Sequence, residues 1–199
     1  DYWVSEKYDG MRAYWNGKTF VTRGGERIHA PEWFTANWPT VPLDGELWAG
    51  RGKFQEVVST ARSQEANRDA WRRLRFMVFD LPAHGGIFDE RLIHLQALLK
   101  STNSPWLLAV PQQRIATHEA LRQRLKEIEK RGGEGLMLHR GSSRYRAERN
   151  DDLLKLKSHA DAEAKVVAHL PGKGKHAGRL GALLVEMPDG IRFKLGTGF

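Results

Sequence analysis

Apolar and polar positions alternate through the first quarter of the chain. Tyr2 to Tyr14 alternates on either side of an Asp9-Gly10 turn, and Ala13 to Val21 sets two β-prone runs about Asn16-Gly17, a strong short-range hairpin signal. Leu43 to Trp48 reads as another strand, and Arg75 to Leu81 as a buried one by composition. Pro31, Trp33, Phe34 and Trp38 predict a short helix packed through its aromatics, and Glu56 to Arg73 has helical spacing with a basic end. After a break at Pro82 to Gly86, Phe88 to Lys100 predicts an amphipathic helix and Leu107 to Val110 a short strand. His118 to Arg131 predicts a charged amphipathic helix stopped by Gly132-Gly133. Gly135 to His139 and Leu153 to Lys157 are two further strands.

The pattern changes at Ser158-His159-Ala160. Beyond it, Ala164 to Leu170, Leu180 to Met187 and Ile191 to Leu195 predict three strands, with a Pro188-Asp189-Gly190 turn between the last two. Gly172 to Gly178 reads as a flexible basic loop. The expected organisation is one α+β domain over residues 1–158 and a small β domain over residues 159–199. Three strands do not close a barrel. No internal repeat or low-complexity segment interrupts either part.

The chain has 199 residues, enough to bury a sizeable core without staples. It has no cysteine, which excludes disulfide frameworks, thiolate zinc sites and cysteine nucleophiles. The eight histidines show no metal-ligand spacing, and His139 reads as structural or solvent-facing. Net charge is +8, spread along the chain, which suits either a solvated basic surface or a polyanion partner. No apolar stretch approaches a bilayer-spanning length, so no membrane partner is expected. No signal peptide is visible, and because the first residue is Asp1 a processed leader remains compatible with the sequence.

Candidate chemistry begins at Lys7-Tyr8-Asp9-Gly10-Met11-Arg12. A nucleophilic lysine needs a free lone pair near neutral pH, which burial and neighbouring positive charge promote. Gly10 permits a tight turn and a close backbone approach, and Arg12 offers a rigid fork for phosphate or ribose oxygens. The structural alternative is a solvated turn between strands. A Lys-x-Asp-Gly-x-Arg match arises by chance in roughly one chain of this length in several hundred, so it needs support from elsewhere. Lys155 and Lys157, two apart in a strand, share a face and could grip a phosphate. Glu46 sits on a strand where it could accept a ribose hydroxyl. Glu134, after a Gly-Gly break, could hold Mg²⁺, a hard ion that prefers oxygen ligands.

These elements together resemble the covalent nucleotidyltransferase superfamily, which contains DNA ligases, RNA ligases and mRNA capping enzymes. Lys7 to Arg12 resembles motif I, Thr22-Arg23-Gly24-Gly25 motif Ia, Asp44-Gly45-Glu46-Leu47 motif III and Phe76 to Asp80 motif IIIa. Glu134-Gly135-Leu136-Met137-Leu138 resembles motif IV and Leu154-Lys155-Leu156-Lys157 motif V. Each is short, but together they follow the family's order from Ser5 to Lys157. The resemblance implies a nucleotidyltransferase (ATP-grasp-like) domain of antiparallel sheets with flanking helices, followed by an OB-fold barrel that is C-terminally incomplete. It implies Lys7 as the nucleophile that carries AMP from ATP, with Arg12, Lys155 and Lys157 as its catalytic cations. Ser5, Glu46, Phe79 and Glu134 complete the nucleotide contacts, with Phe79 stacked on adenine, and Glu134 and Glu46 serve Mg²⁺. Arg23 contacts the 5′-phosphate of a nick, and Lys173 and Lys175 track a DNA backbone.

Within the superfamily, the forms of motifs IV and V resemble ATP-dependent DNA ligases more than RNA ligases or capping guanylyltransferases. NAD ligases carry a four-cysteine zinc site that a chain without cysteine cannot form. The compactness resembles the minimal bacterial Lig E-type ligases, which implies a monomer acting on nicked double-stranded DNA. It also suggests the periplasm, with the cytoplasm as the alternative. A basic nucleic-acid-binding module that keeps the fold without the chemistry is the non-enzymatic alternative. The family's motif VI, at the far end of the OB domain, has no counterpart before Phe199, and a chain ending there is expected to be poor at lysine adenylation.

Overall fold

The computed structural model describes residues 1–63, 68–158 and 162–196. Two compact units divide the chain, Asp1–Ser158 and His159–Phe199.

The first unit is built on two sheets. β1 (Tyr2–Glu6) belongs to a four-stranded sheet with β7 (Gln113–Arg114), β8 (Leu136–Arg140) and β9 (Leu153–Leu156), in the order β7-β1-β8-β9. β2 (Met11–Trp15), β3 (Phe20–Thr22), β4 (Leu43–Trp48), β5 (Arg75–Asp80) and β6 (Leu107–Ala109) form a second sheet in the order β3-β2-β4-β5-β6. All neighbours are antiparallel except β5 and β6, which are parallel. Two parallel strands cannot be joined by a hairpin. Their crossover carries α4 (Phe88–Thr102).

Asp9-Gly10 is therefore not a hairpin turn. The chain there leaves one sheet and enters the other. Gly10 is needed for closeness: a Cβ on it would lie 2.2 Å from the Leu47 carbonyl oxygen of β4. The close approach is to the protein's own backbone rather than to a ligand. The hairpin between β2 and β3 forms as expected, but its loop is Asn16 to Thr19. Asn16 Oδ1 accepts from the backbone N–H groups of Lys18 (3.0 Å) and Thr19 (2.7 Å).

The main core lies on one face of the five-stranded sheet, where Ala13, Trp15, Leu43, Leu47, Phe76 and Val78 are buried. α1 (Glu32–Thr35) contributes Phe34, which packs against Trp38 and Trp71 at ring-centroid distances of 5.4 and 4.7 Å. The helix expected from Glu56 to Arg73 is interrupted: α2 (Phe54–Arg62) ends where Ser63 turns extended, and α3 (Arg68–Trp71) follows. Residues 64–67 of that span lie outside the described residues. A smaller core joins Val4 and Leu136 of the four-stranded sheet to Leu125 and Ile128 of α5 (His118–Lys130). Thr117 caps α5, its hydroxyl accepting from Ala120 N–H at 3.1 Å.

The second unit holds β10 (Lys165–Pro171), β11 (Leu180–Glu186) and β12 (Arg192–Leu195) in one antiparallel sheet. The basic stretch Gly172 to Gly178 folds around a 3₁₀ turn, Gly174–His176, and Gly172 N–H closes it on the Arg179 carbonyl at 2.8 Å.

Candidate active site

Lys7 follows β1 directly, and its backbone N–H donates to the Gly135 carbonyl at 2.9 Å, extending the pairing of β1 with β8. Its Nζ donates to Glu134 Oε2 at 2.5 Å, and the Nζ of Lys157 donates to Oε1 of the same carboxylate. Gly135 makes this convergence possible. Its φ is +147°, and a Cβ there would lie 2.4 Å from the Leu156 carbonyl oxygen. The start of β8 can therefore lie against the end of β9 only without a side chain at that position. Burial acts to raise the Glu134 carboxyl, but hydrogen bonds from Lys157 and Lys7 outweigh it and hold the group below its ordinary range.

The neighbour of Lys7 is thus a carboxylate, not the positive charge expected beside a primed nucleophile. Glu134 accepts from both lysines, and any nucleophilic use of Lys7 would require its Nζ to leave this pair and present a lone pair.

Lys7 opens onto a cavity of about 270 Å³, whose wall includes Ser5, Arg12, Arg23, Glu46, Phe79, Val110, Gln112, Met137 and His139. Phe79 reaches the cavity by alternation, on the face of β5 opposite the buried Phe76 and Val78, the face on which Met77 pairs with Glu46; a bulge follows it. Asp80 pairs with Asp44 and Val78 with Gly45, so Phe79 has no residue opposite it. The guanidinium carbon of Arg12 lies 5.5 Å from the centre of the Phe79 ring. Glu46 is enclosed; burial pushes its carboxyl up to about 8, against the opposing fields of Lys7 and Arg12. Near neutral pH it therefore carries a proton and can both donate and accept.

A second cavity of about 600 Å³ shares Arg12, Arg23, Phe79, Met137 and His139 with the first and adds Asp44, Arg144, Tyr145, Arg146, Arg149 and Lys155. Lys155 and Lys157 consequently part company: Lys155 is exposed on the larger cavity, whereas Lys157 meets Lys7 through Glu134. Arg23 follows β3 in an exposed turn where Gly25 N–H and Glu26 N–H donate to the Thr22 carbonyl and hydroxyl at 3.0 and 3.2 Å. Lys173 and Lys175 are exposed in the second unit.

Arg12 is already engaged. Its Nε and Nη2 donate to the two oxygens of Asp44 at 3.1 and 2.7 Å. Asp44 is only 2 % exposed, and it also accepts from the Tyr145 hydroxyl at 2.9 Å. Sequence reasoning singled out Glu46 of the Asp-Gly-Glu run and passed over Asp44 and Tyr145. An acidic residue two before Glu46 on the same strand face is a signal for Asp44; nothing local marks Tyr145.

His139 is buried rather than solvent-facing. Its ring stacks on Phe88 at 3.6 Å, and burial and the Arg91 charge push it down to about 3, so it stays neutral. Arg91 was not anticipated as a feature. It is wholly buried and binds Asp80 through both oxygens, at 2.6 and 3.0 Å, and the carbonyls of Gly86 and Ser143 at 2.9 and 2.8 Å.

For a divalent cation, Glu134 is the ionised carboxylate in contact with Lys7, and the Glu46 carboxyl on the same cavity would have to lose its proton to join it. Among the described residues no cluster of three or more acidic or histidine side chains suited to a metal forms. Mg²⁺ commonly takes one or two protein carboxylates and completes its shell with phosphate and water oxygens, so this donor set fits an ion that arrives with a nucleotide.

The chain matches the family described as "ATP dependent DNA ligase domain" over residues 1–157 and that described as "DNA ligase OB-like domain" over residues 171–199. A protein of Haemophilus influenzae named DNA ligase is 37 % identical over 199 residues, 99 % of this chain and 73 % of that protein. A Pseudomonas aeruginosa protein, multifunctional non-homologous end joining protein LigD, is 31 % identical over 175 residues, 79 % of this chain but 20 % of its own length. Among solved structures, one from a study of DNA binding by Lig E DNA ligases superposes with a TM-score of 0.92 and 48 % identity. It is matched over 100 % of this chain and 78 % of that one. A Chlorella virus DNA ligase-adenylate structure shares the fold, with a TM-score of 0.68, 20 % identity, and coverage of 100 % and 78 %.

Proposed function

Because the chain belongs to the family of ATP-dependent DNA ligases, we propose that it seals nicks in double-stranded DNA with Lys7 as its covalent nucleophile. The observation that carries this reading is the convergence of Glu134 and Lys157 on Lys7, which itself lines a cavity walled by Phe79 and Glu46.

Three displacements follow. Lys7 Nζ attacks the α-phosphorus of ATP; a P–N bond forms, the bond to the β-phosphate oxygen breaks and pyrophosphate leaves. The 5′-phosphate oxygen of the nick then attacks the AMP phosphorus, and the lysine amine departs. Finally the 3′-hydroxyl attacks the activated 5′-phosphate, closing the backbone and releasing AMP. Each displacement spreads negative charge over phosphoryl oxygens, so fixed cations carry much of the catalysis.

The side chains divide this work. Phe79 offers a face for the base and Glu46 a protonated carboxyl for the ribose. Glu134 accepts the proton-bearing Nζ of Lys7 in the resting site, and Lys157, released from the same carboxylate, can follow the α-phosphate. Lys155 and Arg23 line the larger cavity, where the 5′-phosphate strand would enter. Mg²⁺ would be held by Glu134, with Glu46 beside it, and would neutralise phosphate charge. Lys173 and Lys175 supply sequence-independent phosphate contacts. The protein acts as a monomer on its nicked duplex.

Incubation with α-labelled ATP, GTP or NAD⁺ and Mg²⁺ tests the first displacement. Label from ATP that survives denaturation and disappears in Lys7→Ala, together with sealing of a nicked duplex, is the expected result. Label from GTP would reassign the chain to guanylyl transfer. Sealing that persists in Lys7→Ala would overturn the assignment of the nucleophile.

A further inference from the structure

We propose that Tyr145 is a positioning residue for the DNA-joining displacements, acting on Arg12 through Asp44; this rests on the ligase reading above. Tyr145 lies in the connection between β8 and β9. That connection is fixed just before it: Arg144 Nη1 donates to the Gly85 carbonyl at 2.6 Å, and Arg144 bridges to Ile87 in antiparallel fashion. From this anchor the Tyr145 hydroxyl donates to Asp44 Oδ2 at 2.9 Å, the same oxygen that accepts from Arg12 Nη2 at 2.7 Å.

Three of the roughly four acceptor sites of the Asp44 carboxylate are thus taken. Arg12 takes both oxygens and the phenol takes a second lone pair of one of them. Burial and the Asp44 charge push the Tyr145 phenol above its ordinary range, so the hydroxyl keeps its proton and remains a donor. A bidentate pair alone fixes the plane of a guanidinium but leaves the carboxylate free to swing about its own bond. A third hydrogen bond from a different element removes that freedom. The unused N–H groups of Arg12 then hold a set direction.

Position separates this arrangement from nucleotide binding. Arg12 lines both cavities, but Asp44 and Tyr145 are absent from the wall of the Lys7 cavity; they line the larger one, beside the arginine-rich stretch from Arg144 to Arg149, and a further cavity of about 310 Å³ next to Arg23. A polyanionic strand lying over that stretch would run along the cavity that Arg12, Asp44 and Tyr145 line together. The phenol therefore ties the loop that faces the strand to the arginine at the junction of the two cavities.

The test separates the displacements with Tyr145→Phe, which removes only the hydroxyl. Lysine adenylation is measured with ATP alone, and joining is measured in single turnover on a nicked duplex already carrying 5′-AMP. Expected are a joining rate at saturating DNA lowered about tenfold, a KM for DNA within about twofold of the parent, and adenylation within about twofold. In an Arg12→Lys background the same substitution should cost nothing further, because the fork it steadies is gone. Equal losses in adenylation and joining, or full additivity with Arg12→Lys, would overturn the proposal while leaving the ligase reading intact. A parent chain that joins no pre-adenylated nick would overturn the ligase reading and this proposal with it.

Discussion

Two charge clusters of similar composition sit in the first unit and are built on opposite principles. Asp80 and Arg91 are 3 % and 0 % exposed, and every oxygen and nitrogen that matters has a fixed partner on β5, the Gly86 turn or the loop after β8. Lys7, Glu134 and Lys157 have side chains 24, 27 and 34 % exposed and share one carboxylate between two ammonium groups. A buried, saturated pair cannot let go without leaving a charge in a poor solvent, so it serves as a rivet. A half-open, over-subscribed carboxylate can release either lysine to an arriving phosphate, because water and ligand can replace what is lost. Burial, not residue type, divides structural from chemical charge here.

Single substitutions can break that comparison. Lys7→Ala should abolish label transfer from ATP while barely moving the urea midpoint; a large loss of stability would make Lys7 part of the rivet class. Arg91→Ala should do the converse. It strands Asp80, and breaking a buried pair from one side costs about 3–5 kcal/mol, readable in urea denaturation. A drop below about 1 kcal/mol would show that water relieves Asp80 and that the cluster is not closed.

Gly135→Ala lies between the two. It places a methyl group against the Leu156 carbonyl at a φ of +147°, strain expected to cost about 1–3 kcal/mol, and it should slow adenylation because Lys157 and Lys7 are brought together across that residue. Slowed adenylation with unchanged stability would place the effect in the site alone.

A pH effect concerns the second carboxyl near Lys7. The folded chain keeps a proton on Glu46 up to about pH 8, while the ordinary value is 4.5. Between these values the folded state binds more protons than the unfolded one, so this group makes stability fall as pH rises. Glu46→Gln, permanently neutral, should flatten that part of the decline in urea midpoint between pH 5 and 8, and an unchanged slope would mean that Glu46 is already ionised in the folded chain.

The strands and most helices were legible because each carries its own period: β4 and α4 need only local alternation or a 3.6-residue stripe to be recognised. The six motif-bearing segments were likewise legible, since each is contiguous and their order is a property of the chain. The break in the helix after Arg62 was not, and neither was β7, a two-residue strand that exists only because β1 offers it an edge. The candidate site divides the same way. Lys7, Glu46, Glu134, Lys155 and Lys157 were named from sequence, but their grouping was not, because β9 ends at Leu156 and Lys157, just beyond it, meets a different partner from Lys155.

What the sequence determined by itself is the set of reactive groups and the elements that carry them, since both depend on neighbours along the chain. What only the tertiary structure decided is which groups meet. The bulge at Phe79, the clamp of Asp44 on Arg12 and Tyr145, and the burial of Arg91 all join residues far apart in sequence. Burial and hydrogen-bond partnership belong to the packed assembly of two sheets, and no stretch of a few residues contains that information.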